Sequence, residues 1–209
     1  MKISFKQGNM NKIHISVDGE YKFTVDAEYW YTSPYCRIKE ITDDEECENF
    51  LLDVGSRYAF ISGLRALSYS AKSRKELRMK LIMKGHSAAC AENALDKLEE
   101  LGYINDYQYA QDTAKKLIQT KHMSKQGIKN ELYKRGINKE TADEVLSQLE
   151  IDPIEEIRVL LNGKYSRYLN DEKGRKKTVA SLQRLGYSWS DIKTALEKVT
   201  QDSEDMYYD

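Results

Sequence analysis

One segment occurs three times, and it limits what this chain can fold into. Ser73 to Gly85, Ser124 to Gly136 and Gly174 to Gly186 each run 12 residues from opening residue to glycine, and the glycines recur at 51 and 50 residues. A period near fifty marks a structural repeat, in which each unit buries its apolar face against its own helices and its neighbours. The chain is therefore read as an array of small helical units rather than as one large core.

The register continues past each glycine. Ser87, Asn138 and Ser188 follow at two residues, as helix N-caps whose side-chain oxygens take an orphan backbone N–H. Apolar residues then fall at matched offsets: Ala91, Ala142, Ile192; Leu95, Leu146, Leu196; and Leu98, Leu149, Val199. Steps of four and three make one face of a helix. Each glycine sits where a left-handed residue closes the preceding helix without a Cβ clash. Leu77, Leu81 and Leu95 are expected to form the core of the first unit, and Leu132 and Leu146 that of the second.

A third helix precedes each pair. Phe60, Ile61, Leu64 and Leu67 share a face before the first copy, and Ala110, Thr113, Ala114, Leu117 and Ile118 before the second, with Asp106 as N-cap. Asp152-Pro153-Ile154-Glu155 reads as a capping box with proline at the first helical position, followed by Ile157 and Leu161. Upstream, residues 2–6 read as a strand. Ile13, Ile15 and Val17, then Tyr21, Phe23 and Val25, alternate around Asp18-Gly19, a two-residue hairpin signal. Trp30, Tyr31 and Tyr35 are expected to cover this sheet. Thr42-Asp43-Asp44-Glu45 reads as a capping box opening a helix through Val54.

The expected fold is mainly α. Three tandem three-helix repeats form an elongated curved body behind a small N-terminal β-hairpin sheet. The expected divisions are 1–54 (hairpin region and capping helix), 55–105, 106–151 and 152–200 (the repeats) and 201–209 (an acidic tail).

Charge is unevenly spread. Residues 1–54 carry 6 basic and 11 acidic residues, residues 55–135 carry 16 and 8, and residues 136–209 carry 11 and 15, within a total of −1. A basic middle between acidic ends implies an anionic partner for the middle. The alternative is an ordinary solvated helix surface. The candidate contacts are Lys72, Arg74, Lys75, Arg78, Lys80 and Lys84 around the first repeated helix, and Lys115, Lys116, Lys121, Lys125, Lys129 and Arg135 around the second. Arg175, Lys176 and Lys177 open the third. Arg74 and Arg78 are i, i+4 and are expected to be exposed, so that reversing them would change binding and not stability.

Signatures of catalysis are missing. His14, His86 and His122 are scattered, no Gly loop with a following Lys occurs, and Ser190-Asp191-Ile192-Lys193 reads as helix capping. Cys36, Cys47 and Cys90 lack metal-ligand spacing, which fits packing thiols in a reducing cytosol. No apolar run approaches the roughly 20 residues of a membrane span, and no signal-peptide core opens the chain. No cofactor, metal or membrane is expected, and a cytoplasmic monomer is.

Several of these residues together resemble the RecX family, regulators of the RecA-type recombinase. The family's first unit carries a pattern matched by Ser73, Glu76, Leu77, Leu81, Lys84 and Gly85. Its inter-unit segment resembles Gly102 to Ala110, and its second unit is matched by Glu131, Leu132, Arg135, Gly136 and Ile137. This chain departs in having Ser70-Ala71-Lys72 where members often carry several arginines, and Ser124 where a glycine is common, with Gly127 inside the helix. The resemblance implies a non-enzymatic modulator that lies in the groove of the recombinase filament on single- or double-stranded DNA. It implies restraint of ATP hydrolysis and strand exchange within DNA repair and the SOS response. The competing readings are a DNA-binding architectural protein acting alone, which a net charge of −1 disfavours, and a helical scaffold for an unrelated partner.

Overall fold

Three strands open the chain: β1 (Ile3–Gln7), β2 (Lys12–Val17) and β3 (Glu20–Asp26), antiparallel in the order β1-β2-β3. The computed structural model describes residues 1–205, and side chains through residue 199. Asp18 and Gly19 both take positive φ, 51° and 86°, as a two-residue link between right-twisted strands requires. Ile13, Ile15 and Val25 lose all exposure on one face. Helix α1 (Ala27–Thr32) places Trp30 against that face, fully buried. Tyr35 is buried there too, but Tyr31 is not: it remains 55% exposed, its ring edge-on to that of Phe5 at a centroid distance of 6.4 Å.

Helix α2 (Asp44–Leu67) begins one residue later than its sequence signal suggests. Asp43 is the N-cap, its carboxylate accepting the Glu46 N–H at 2.9 Å, so Thr42 lies outside the helix. The helix runs without interruption across position 54. Its first half gives Phe50 and Val54 to the sheet core, and its second gives Ala59, Phe60 and Ala66 to a separate helical core. One continuous helix thus serves both.

Helices α3 (Arg74–Met83) and α4 (Ala88–Glu100) complete that second core with Leu77, Leu81, Leu95 and Leu98, all fully buried. Each such side chain contributes about 1.5–3 kcal/mol by leaving water. Ser73 and Glu76 form a reciprocal capping box at the start of α3. Two further three-helix cores follow. One joins α5 (Asp106–Lys121), α6 (Lys125–Lys134) and α7 (Lys139–Ser147) around Ile128, Leu132 and Leu146. The other joins α8 (Pro153–Asn162), α9 (Glu172–Arg184) and α10 (Trp189–Asp205) around Ile157, Leu161, Leu182 and Ile192. Asp106 lies in the first turn of α5 rather than ahead of it. Gly85, Gly136 and Gly186 all take φ near +90° (87°, 87° and 92°), and Ser87, Asn138 and Ser188 cap the helices that follow. The chain divides into two compact units, Met1–Asn105 and Asp106–Asp209. Of the acidic tail expected over 201–209, α10 takes residues up to Asp205, and 206–209 lie outside the described residues.

The third copy needs a correction in register. Its helix opens at Asp171, whose carboxylate caps the Gly174 N–H, so Gly174 lies in the first turn and does not start the segment. Equal spacing to the closing glycine requires helices of equal length, whereas α9 has 13 residues and α3 and α6 have 10. Gly174 is matched in the second copy by Gly127, which also stands three residues after its cap, Ser124.

A close approach of backbone explains the glycine inside α6. Within the second unit the start of α6 lies against the turn that ends α9. The Ser124 backbone N–H donates to the Leu185 carbonyl at 3.1 Å, and the Ser124 hydroxyl donates to it at 3.3 Å. A Cβ on Gly127 would overlap that carbonyl oxygen, and a Cβ on Gly186 would overlap the backbone of Gly127. The two glycines permit backbone-to-backbone packing between successive repeats. The Tyr187 hydroxyl ties the same junction by donating to the His122 carbonyl at 2.6 Å.

Candidate functional site: the basic helix surfaces

Opposite charges on adjacent helices find each other when their spacings match, and that determines which of the expected basic residues remain available. On α4, Glu92, Asp96 and Glu99 follow one another at steps of four and three along one face. Arg74 of α3 lies over this stripe and donates to all three carboxylates, to Glu92 at 3.0 Å, Asp96 at 2.6 Å and Glu99 at 2.7 Å. Arg78 donates to Glu92 as well. The Arg74 side chain is only 28% exposed. Partial burial works to lower its pKa, but the hydrogen bonds to Asp96, Glu99 and Glu92 outweigh burial and the net shift is upward. The hydrogen bond from Arg78 is the main reason the Glu92 carboxyl sits below its usual range.

Arg74 and Arg78 therefore do not form a free basic face. They bridge α3 to α4, which corrects the expectation that both stand exposed and unengaged, and a cost in stability is now expected on reversal. Arg74→Glu should lower the stability of the first unit by about 1–3 kcal/mol, because it removes the cation and sets a fourth carboxylate among three. Urea unfolding of the variant beside Lys75→Glu, an exposed position on the same helix, checks this; Lys75→Glu should stay within about 0.5 kcal/mol of wild type. The pH dependence has a definite sign. Because Glu92 is more acidic when folded, its contribution is complete above its usual 4.5 and is lost as pH falls through the lower folded value. Stability below pH 4.5 should accordingly fall more steeply for wild type than for Arg78→Gln.

Other candidates are also engaged. Lys129 pairs with Asp143. Arg135 donates to the Tyr109 hydroxyl at 2.7 Å and to Glu131 at 3.1 Å. Arg175 donates to the Leu169 carbonyl at 2.7 Å, Lys176 pairs with Glu172 at 2.6 Å, and Lys72 donates to Ser70 at 2.6 Å. Lys75, Lys80, Lys84, Lys115, Lys116, Lys121, Lys125 and Lys177 have no ion-pair partner among the described residues, and all but Lys80 are exposed. The outward face of α3 also carries Met79, Ile82 and Met83, exposed by 53%, 37% and 83%. Sequence reasoning missed this stripe, although Lys75, Met79 and Ile82 follow helical spacing on the side away from Leu77 and Leu81.

No group of His, Cys, Asp and Glu suited to hold a metal occurs among the described residues. All three cysteines are free thiols. Among the described residues no helix is long and apolar enough to cross a membrane.

A repeated helix, Gly turn, capped helix and preceding third helix define a mostly helical protein of tandem three-helix domains with a small three-stranded sheet ahead of them. Comparison with known proteins gives that class its family. Residues 59–98 match the RecX first three-helix domain, and residues 105–146 the RecX second three-helix domain. A regulatory protein RecX of Caldanaerobacter subterraneus subsp. tengcongensis is 30% identical over 193 residues, 91% of this chain and 95% of the relative. Another, of Clostridium beijerinckii, is 28% identical over 208 residues, 95% of this chain and 94% of the relative. A crystal structure of a regulatory protein RecX shares the fold with a TM-score of 0.67 at 22% identity, covering 94% of this chain and 98% of that one. The structure of RecX from Lactobacillus salivarius gives 0.59 at 25% identity, covering 70% and 97%. The chain belongs to the RecX family of regulatory proteins.

Proposed function

We propose that this protein binds a RecA-type recombinase filament on DNA and lowers its ATP hydrolysis and strand exchange, with no hydrolytic chemistry of its own. The observation that carries the reading is the near full-length relation to proteins named as regulators, which extends beyond the two matched domains to the N-terminal sheet and the third helical core. The three repeats, over 55–105, 106–151 and 152–200, act as successive contact modules of a cytoplasmic monomer. Lysines without an internal partner meet acidic filament surface or DNA phosphate, and Met79 and Met83 supply apolar contact. The architectural reading, in which the protein acts on DNA alone, is weaker because a net charge of −1 limits counterion release.

The test is a titration of recombinase DNA-dependent ATPase with wild type and with Lys115→Glu/Lys116→Glu/Lys125→Glu. Wild type should inhibit. The triple variant should inhibit less at low salt and approach wild type at high salt, because charges at an interface rim act mainly on association. Inhibition by neither protein contradicts the proposed function. Equal inhibition by both at both salts moves the contact to another face.

A further inference from the structure

One concavity in the first unit gathers cations that the fold leaves uncompensated. It is a cavity of about 350 Å³ between β2, β3, α2 and the turn that follows α3. Lys12, Arg65, Lys84 and His86 line it with the hydroxyls of Thr24 and Ser62, and no carboxylate does. Arg57, Arg74, Arg78 and Lys97 of the same unit each pair with an acid, whereas Lys12, Arg65 and Lys84 have no ion-pair partner among the described residues. Like charges in a concavity repel, and their summed potential draws an anion from solution. Burial and the Lys84 charge hold His86 below its ordinary pKa, so it offers a neutral ring for hydrogen bonding.

The rim narrows the choice of anion. Tyr58, also in the lining, has its ring centroid 4.8 Å from that of His86 in a T-shaped contact and receives a hydrogen bond from the Tyr21 hydroxyl at 3.3 Å. The Tyr21 hydroxyl also lies 2.9 Å from Thr24 Oγ1, while 56% of this residue stays exposed. A polar network thus holds an exposed aromatic ring beside a cationic pocket. An acidic peptide would use the cations and leave the ring idle. A phosphodiester chain with unpaired bases uses both, since any base stacks on an aromatic face while its phosphate meets lysine or arginine.

We propose that this pocket holds a backbone phosphate of single-stranded DNA, with a neighbouring base stacked on Tyr21. The local field of Lys12, Arg65 and Lys84, rather than the net charge of −1, would govern this contact, so its test runs without recombinase and its failure leaves the filament reading standing. The test uses the full chain and a fluorescent oligothymidylate, with anisotropy followed across a salt series. Lys12→Gln/Arg65→Gln/Lys84→Gln should flatten the plot of log affinity against log salt by about 2, from three contacts at about 0.7 each. Tyr21→Ala should weaken binding roughly 5- to 150-fold with the slope unchanged, the range of one base–aromatic stack. Lys115→Gln/Lys116→Gln/Lys125→Gln, which removes equal charge from the other unit, should leave the slope closer to wild type. No binding by wild type overturns the site, as does equal flattening by the two triple variants. Displacement of the oligonucleotide by poly-glutamate as effectively as by unlabelled DNA also overturns it, in favour of a protein carboxylate.

Discussion

Alanine at Gly186 is expected to destabilise the second unit by roughly 2–5 kcal/mol. Two costs combine. A residue with a Cβ held at φ +92° loses about 1–2 kcal/mol in the left-handed region. The added carbon would also overlap the backbone of Gly127, and overpacking costs about 1–3 kcal/mol more. Backbone cannot swing aside as the end of a side chain can, so the start of α6 must withdraw from the α9 turn. Gly85 separates the two terms. It has nearly the same φ, 87°, but a Cβ there would meet nothing within 4 Å. Gly85→Ala should therefore show only the conformational part. Gly127→Ala should show only the overlap, reversing the gain of about 1 kcal/mol that alanine normally brings to a helix interior. Hydrogen exchange resolves these locally: amides of α6 and α9 should exchange about 25-fold faster or more in Gly186→Ala, given a tenfold change per 1.4 kcal/mol. Equal effects of the Gly85 and Gly186 substitutions, each in its own unit, would remove the close approach from the account.

Leu81→Ala should cost the first unit about 2–5 kcal/mol, the range for emptying a fully buried leucine site. The cavity would open among Leu77, Leu95 and Leu98, which are held from α3 and α4 and cannot collapse fully. For a unit with only some 5–15 kcal/mol of stability in total, this removes much of the margin. Met83, two residues along and 83% exposed, is the control: Met83→Ala should change urea unfolding by less than about 0.5 kcal/mol. A change that small for Leu81→Ala would place Leu81 outside the core.

The parts of the fold that were legible in the sequence are those with local chemical signatures. Asp18-Gly19 demands positive φ at two successive positions, so the hairpin could be read from two residues. The glycine closing each first helix and the Ser or Asn opening the next fixed the repeat in the same way. At Gly174 equal spacing to Gly186 and capping chemistry disagree, and capping sets the start of the helix. Asp171, three residues upstream, is as good a cap as Ser73 or Ser124.

Legibility of the candidate site depends on where each partner lies. Arg74 and Arg78 look exposed when only their own helix is considered, since their acids belong to α4. The matched steps of Glu92, Asp96 and Glu99 were the available signal. No such signal exists for the cationic pocket, because Lys12, Arg65 and Lys84 come from segments far apart in sequence and only the fold assembles them.

Co-sedimentation with preformed recombinase filaments tests the central claim most directly. Filaments assembled on long single-stranded DNA with a slowly hydrolysed ATP analogue are pelleted with increasing amounts of this protein. The account predicts saturable recovery of the protein in the pellet at physiological salt, beyond the amount carried by the same DNA without recombinase. Full retention in the supernatant while the filaments pellet would contradict it.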